Sequence, residues 1–316
     1  MKKGIFIILH LTILSLVVTG MLNAQSVTIP IETKTNALVL QTDKDGRLWI
    51  TYFGARLTNS ADYSGASQQY HYSDANAGIY NNAYTAAGTW NLSEPALQVT
   101  HSDGNLSTEL KYVSHQTKKE GENVLVTSVK LIDPVYKLAV ELFYKTWNTE
   151  NVIEQWAEIT NNEKATIVLN KYASANLFFS KKDPYLTSFQ GEYLKEMQPL
   201  EEPLLQGIKS IETKLGTRAM LLGTPNFILS FGGPAKENSG EVVLGQLAWS
   251  GNYKLDFEID SHKNLRFIAG INPYASAYTL MPGKTFKTAS LIIRYLITAP
   301  AKPAGNCKAG QENIVC

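Results

Sequence analysis

The chain of 316 residues is poor in the groups that most often carry chemistry. Its two cysteines, Cys307 and Cys316, lie together near the C-terminus. No disulfide can therefore cross the body of the protein, which must hold by apolar burial. A Cys307–Cys316 bridge in an oxidising compartment and two free thiols stand as equal readings of that pair. The five histidines are His10, His71, His101, His115 and His262. None has metal-ligand spacing to another histidine or cysteine, so no metal is expected. A nucleophile elbow, a P-loop and a C-x-x-C pair are all missing, and no cofactor is expected. Charge of one sign is missing too, with 29 basic against 28 acidic residues. That balance excludes the electrostatic footprint of a nucleic-acid binder and a polybasic membrane patch. Nor does any segment show an amphipathic helix of three turns.

The first 24 residues differ in kind from the rest. Lys2 and Lys3 precede an apolar run from Ile5 to Met21, and Leu22-Asn23-Ala24 ends in a small residue before Gln25. This is the pattern of a cleavable export signal, here residues 1–24. It implies a periplasmic or secreted protein with no membrane span after cleavage. The run is close to the minimum of about 18 apolar residues for a span and carries polar interruptions, so an anchor is the lesser reading.

From Gln25 onward the pattern is strand after strand. Tyr253, Leu255, Phe257 and Ile259 alternate with Lys254, Asp256, Glu258 and Asp260, the period of a half-buried strand. Asp256, Glu258 and Asp260 are thereby expected on a solvated face. Asp43-Lys44-Asp45-Gly46 marks a hairpin between Ala37–Thr42 and Arg47–Phe53. Further strands are expected from Ala96, over Glu109–Ser114, Val124–Ile132, Tyr136–Trp147, Val152–Thr160 and Thr166–Phe179, and from Ile208 to Tyr295. Two stretches break the pattern. Tyr63 to Asn91, rich in Ser, Ala, Asn, Gly and Tyr, reads as a long loop of functional or disordered kind. Tyr185 to Gly207 is less regular, with one short helix expected around Leu194–Met197. A chain of this pattern packs sheet on sheet, as a large antiparallel sandwich over residues 25–297. Residues 298–316, with Pro300, Pro303, Gly305 and Gly310 and almost no apolar periodicity, are expected to be a disordered tail.

Several words within this pattern resemble the N-terminal domain of the glycoside hydrolase family 36 α-galactosidases. They include LAWSGNY (Leu247 to Tyr253), LRFIAGINPY (Leu265 to Tyr274) and LMPGKTF (Leu280 to Phe286). The stretch from Ile29 to Leu57 and the words LKYVSH, DPVYKLAVELFYK, NVIEQWAEI and KLGTRAM match in the same order. The resemblance implies a β-supersandwich of the galactose mutarotase-like type, set before a catalytic (β/α)8 barrel that carries both catalytic aspartates. It ends after Tyr295, so no catalytic residue is expected in this sequence. Glu154 and Glu158 share a strand face but stand about 13 Å apart along the backbone. A retaining pair needs about 5–5.5 Å.

The resemblance further implies that the loop after Tyr52-Phe53-Gly54 reaches the mouth of the barrel's site. Asp62 there would accept from sugar hydroxyls, and Tyr63 would stack on the C–H face of galactose. Trp249, beside the Ser250-Gly251-Asn252 turn, reads as packing first and as a sugar platform second. The expected function is that of a non-catalytic domain of an exported α-galactosidase, a truncated fragment inactive alone. A stand-alone carbohydrate-binding module and a structural partner of a separately encoded barrel are the alternatives. Expected partners are an α-galactoside, held weakly or through a barrel, and the barrel or a second copy of the chain.

Overall fold

A computed structural model describes residues 26–298, except 67, 71–77, 89–91, 219, 222 and 238. Residues 1–24, expected as an export signal, residues 299–316 of the expected tail with both cysteines, and His71 lie outside the described residues; Thr298 ends the last strand. Nineteen strands and one short 3-10 helix make up the described chain, and every strand pair is antiparallel. The all-β reading is thereby borne out.

The strands form three sheets. A small sheet runs β1 (Thr28–Glu32), β2 (Asn36–Thr42), β3 (Leu48–Ala55). The 3-10 helix η1 (Ser60–Ala66) follows it. β4 (Leu97–Thr100) comes next, then the meander β5 (Lys111–Lys119), β6 (Val124–Ile132), β7 (Ala139–Trp147) and β8 (Val152–Thr160). β9 (Ile167–Phe179) is the longest strand. It is followed by β10 (Pro184–Glu192), β11 (Lys195–Pro203), β12 (Gly207–Glu212), β13 (Asn226–Phe231) and β14 (Gly240–Ala248). The chain closes with β15 (Tyr253–Ile259), β16 (Leu265–Ile271), β17 (Tyr278–Leu280), β18 (Thr285–Lys287) and β19 (Ser290–Thr298). The large sheet has the order β11-β10-β13-β14-β19-β8-β7-β6-β5, with β18 also on β8. The third sheet runs β12-β15-β16-β9-β17, with β4 also on β9.

Alternation explains how the sheets stack. Val243 and Leu247 of β14 and Leu291, Ile293 and Tyr295 of β19 are buried inward, while Leu244, Gln246, Ile292 and Arg294 face out. From the opposite sheet Leu255, Phe257, Leu265 and Phe267 point back at them. Phe227 of β13 crosses the gap, with its ring 5.4 Å from Phe257 and 4.7 Å from Phe267. Phe53 of β3 meets Phe179 of β9 at 5.5 Å and Tyr295 of β19 at 6.0 Å, so all three sheets share one core. Each such buried side chain stabilises by about 1.5–3 kcal/mol relative to exposure.

Two local expectations are corrected. Leu194–Met197 is no helix. Residues 184–203 form the β10–β11 hairpin, paired from Tyr185↔Pro203 to Gln190↔Gln198 and, after a register shift, at Glu192↔Lys195. Leu194 sits at its tip with φ 63° and Met197 lies in the second strand with φ 56°. The outer strand β11 is almost wholly exposed, so no alternation marks it in the sequence. The described residues between Ser64 and Gly88 form no named strand, as expected, but residues 79–85 are packed inside rather than disordered. Ile79, Tyr80, Asn81, Ala83, Tyr84 and Thr85 are all buried. The segment runs from the edge of β3, where Ile50 N donates to Asn81 O at 2.9 Å, across the outer face of the third sheet. There Tyr80 OH donates to Glu258 O at 2.9 Å.

Candidate functional site

Asp62 and Tyr63 sit on η1, where side chains one apart diverge. Asp62 faces solvent, and its only described side-chain partner is Asn59 Nδ2 at 3.5 Å. Tyr63 turns the other way and is 1% exposed. Its ring packs on Tyr52 at 5.4 Å, beside Ala37 and Val39. No face is open for stacking on a sugar, so the platform role expected of Tyr63 does not fit the geometry of this chain. Its hydroxyl works instead. It accepts from Leu57 N at 3.1 Å and donates to Glu32 Oε1 at 2.8 Å. Burial first, with Glu32 reinforcing it, pushes its pKa up to about 12, so it remains a donor at neutral pH.

Through Glu32 this tyrosine reaches a cleft of about 390 Å³ that sequence reasoning did not find. Glu32 Oε2 also pairs with Arg56 Nη2 at 3.4 Å. The cleft lies where three hairpin turns meet. Thr33 comes from the β1–β2 turn, Lys119, Glu122, Asn123 and Leu125 from the β5–β6 turn and its flanks, and Asn148 from the β7–β8 turn. Backbone bonds lash these turns together: Asn148 N to Asn123 O at 2.8 Å, Lys34 N to Asn148 O at 3.4 Å and Arg56 N to Thr35 O at 2.7 Å. Asn151, with φ 55°, accepts from Thr35 N through Oδ1 at 2.8 Å. The only hint in the sequence was that polar residues cluster at the turns. Nothing there says which turns meet.

The acidic residues of β15 depart from expectation. Asp256 is 3% exposed, enclosed by polar and charged neighbours on its sheet face. It accepts from Ser210 Oγ at 2.5 Å and pairs with Lys254 at 3.2 Å and Lys171 at 3.7 Å. Lys171 also holds Glu94. Burial pushes the Glu94 carboxyl up, but Lys171, with Lys254 and Arg266 behind it, outweighs that and leaves it below the ordinary carboxylate value. Glu258 is gripped by Arg266, which is 0% exposed. Its Nε and Nη2 approach Glu258 Oε2 at 2.9 and 2.5 Å, and its Nη1 donates to Thr85 at 3.3 Å and Ser93 at 3.0 Å. Asp260 is buried as a turn cap, accepting from His262 N at 2.9 Å and Asn264 N at 2.8 Å. These carboxylates are spent on structure. The same holds for Glu163, which with Thr108 brackets the buried His101 at 2.7 and 2.8 Å. Glu158 accepts from Trp156 Nε1 at 3.3 Å on the outer face of the large sheet.

Trp249 is not in the core. It is 39% exposed, and its Nε1 donates to Asn252 O at 3.1 Å. A Cβ on Gly251 would come within 2.7 Å of Trp249 Nε1, so a larger residue there would push the indole off the turn. The structure does not bring Trp249 together with Asp62 or the cleft. Asp62 and Tyr63 belong to the small sheet, whereas the Trp249 turn is bonded to Gly216 and Thr217.

Comparison with known proteins accounts for this architecture. The pattern of the glycosyl hydrolase family 36 N-terminal domain matches residues 46–281. An α-galactosidase of Lactobacillus acidophilus is 27% identical over 226 residues, covering 67% of this chain and 31% of that enzyme. The α-galactosidase AgaA of Geobacillus stearothermophilus gives the same identity and coverage. The chain thus spans under a third of the length of these relatives. Among solved structures, the α-galactosidase of Lactobacillus brevis superposes with TM-score 0.78 at 25% identity, over 87% of this chain and 40% of that one. An AgaA variant in complex with raffinose also superposes with TM-score 0.78, at 23% identity, over 86% and 41% of the two chains. With the family pattern covering most of the chain, this protein belongs to the glycosyl hydrolase family 36 N-terminal domain family.

Proposed function

We propose that the chain serves as the non-catalytic N-terminal β-domain of an exported α-galactosidase, working beside a barrel that cleaves terminal α-galactosides with retention. The observation that carries this reading is the family match over residues 46–281, whose relatives are α-galactosidases. The chemistry of the described residues supports it. Retaining hydrolysis needs two carboxyl groups about 5–5.5 Å apart and facing the substrate. The recessed carboxylates described above are each held by a lysine or arginine, by a histidine, or by the backbone of a turn. Asp62, exposed on η1, is the group in this reading that reaches a sugar hydroxyl in a neighbouring active site. Trp249 supports contact with the barrel, since its fixed indole offers an apolar face to a protein surface.

Two measurements test this. The purified chain should not hydrolyse an aryl α-galactoside above background, and turnover that survives rigorous purification would refute the non-catalytic role. Expressed from its own start in a Gram-negative host, the protein should appear outside the cytoplasm with Gln25 as its first residue. A product retained inside with Met1 in place would refute export. A second reading, a carbohydrate-binding module, is favoured by the polar cleft at the three turns.

A further inference from the structure

We propose that the cleft between the β1–β2, β5–β6 and β7–β8 turns is a binding site for a neutral saccharide, distinct from the Asp62 contact. The idea deepens the carbohydrate reading above but stands on its own geometry.

The cleft's volume of about 390 Å³ falls in the range of small-ligand sites, roughly 300–1,000 Å³. Its lining decides the ligand class by elimination. Two cations, Arg56 and Lys119, face two anions, Glu32 and Glu122, so the site as a whole is neutral. A phosphate or carboxylate would meet two carboxylates, and a cation would meet a guanidinium and an ammonium. No aromatic ring lines the cleft, which leaves a nucleobase without a stacking partner. Among the described residues no three acidic, His or Cys groups gather to hold a metal. Leu125 is the one large apolar side chain in the lining, too little for an apolar ligand.

A saccharide fits what remains. Each sugar hydroxyl both donates and accepts, and neighbouring hydroxyls present these capacities side by side. Asn123 and Asn148 offer a donor and an acceptor each, Lys119 donors only and Glu122 acceptors only. The side chains of these four residues make no hydrogen bond to another described side chain or backbone group. The Leu125 side chain can meet the C–H face of a ring. Glu32 and Arg56 are already fixed, by Tyr63 and by each other, at 2.8 and 3.4 Å. The backbone bonds between the turns hold the floor in place, so little ordering is left for binding to bring about. Burial of Tyr63 thus acquires a purpose: its hydroxyl orients Glu32 from behind the cleft.

The test is calorimetric titration of the purified chain with galactose, with raffinose and with inorganic phosphate. Galactose or raffinose should bind saturably, and phosphate should neither bind nor compete. Replacing both amides, Asn123→Ala with Asn148→Ala, should weaken binding about tenfold, the loss expected for one or two hydrogen bonds. Glu122→Gln with Lys119→Met, two changes on the rim, serves as a second variant if the amide pair fails to fold, and should also weaken binding. Leu205→Ser, an exposed change in the β11–β12 connection, should leave the affinity unchanged, while Trp249→Ala and Asp62→Ala report whether sugar is held elsewhere. Absence of saturable sugar binding would overturn the proposal, as would displacement by phosphate or loss of binding only in the Trp249 or Asp62 variants. None of these results bears on the aryl galactoside assay, so failure here and failure of the non-catalytic reading are separable.

Discussion

Arg266 shows what a single residue can be asked to hold. It lies fully buried on β16, bound twice to Glu258 Oε2 and once each to Thr85 and Ser93, with Tyr80 5.4 Å beneath the guanidinium. It therefore joins the third sheet to the covering segment. Such a pair is not stabilising merely because it is buried, since desolvation offsets most of the attraction. Removing one partner is another matter, because the remaining charge loses its counter-ion inside the protein. Arg266→Met should lower stability by about 3–5 kcal/mol, read as a shift in the urea midpoint. It should also expose residues 78–88 to proteases. A loss below about 1 kcal/mol would mean that water reaches Glu258, and that the segment is held by its apolar contacts alone.

At the scale of elements, close approach between strands sets the tolerance. Gly245 on β14 pairs with Phe227 on β13, and a Cβ there would fall 2.0 Å from the Phe227 ring. The ring cannot withdraw, since Phe257 and Phe267 pack against it. Gly245→Ala should cost about 1–3 kcal/mol by overpacking, seen as a lower melting temperature with unchanged β-spectrum. The β10–β11 tip offers the opposite sign. Leu194 holds φ 63° and is 77% exposed, so its side chain gains little and strains the backbone. Leu194→Gly should stabilise by about 1 kcal/mol. A destabilisation would show that the exposed leucine contributes contacts.

These elements also show what the sequence discloses. Strands with one buried face, such as Tyr253–Ile259 and Val152–Thr160, were legible from alternation to within a residue. β11 was not, because its exposed edge position leaves the pattern unconstrained. Asp256 and Asp260 obey the alternation yet are buried, Asp256 under Lys171 and Glu94 from distant parts of the chain and Asp260 as the cap of its own turn, and period alone reveals neither. Tyr63 was found as a residue of interest, but its direction was set by η1. The cleft was invisible because its lining is contributed by turns far apart in the chain.

Across the whole molecule, buried tyrosines tie the three sheets to one pH dependence. Tyr63 under the small sheet, Tyr253 on β15, Tyr84 in the covering segment, Tyr144 on β7 and Tyr295 on β19 are all buried. Burial pushes Tyr63 and Tyr253 up to about 12, and the other three higher still. The sign follows from linkage. Below about pH 10 the phenols are protonated in both the folded and unfolded states, and their contribution is fully present. Between about pH 10 and 12 the unfolded chain releases protons that the folded chain retains, so stability falls as pH rises through that window. With 16 tyrosines in the chain, two classes should appear in an alkaline titration. Exposed phenols should ionise with the β-spectrum intact. The buried set should ionise only together with loss of that spectrum, in one cooperative step, because releasing any of them requires parting sheets that share a core. A single tyrosinate transition near pH 10, with the fold retained, would show that hydroxide reaches the sandwich interior and that the three sheets do not behave as one unit.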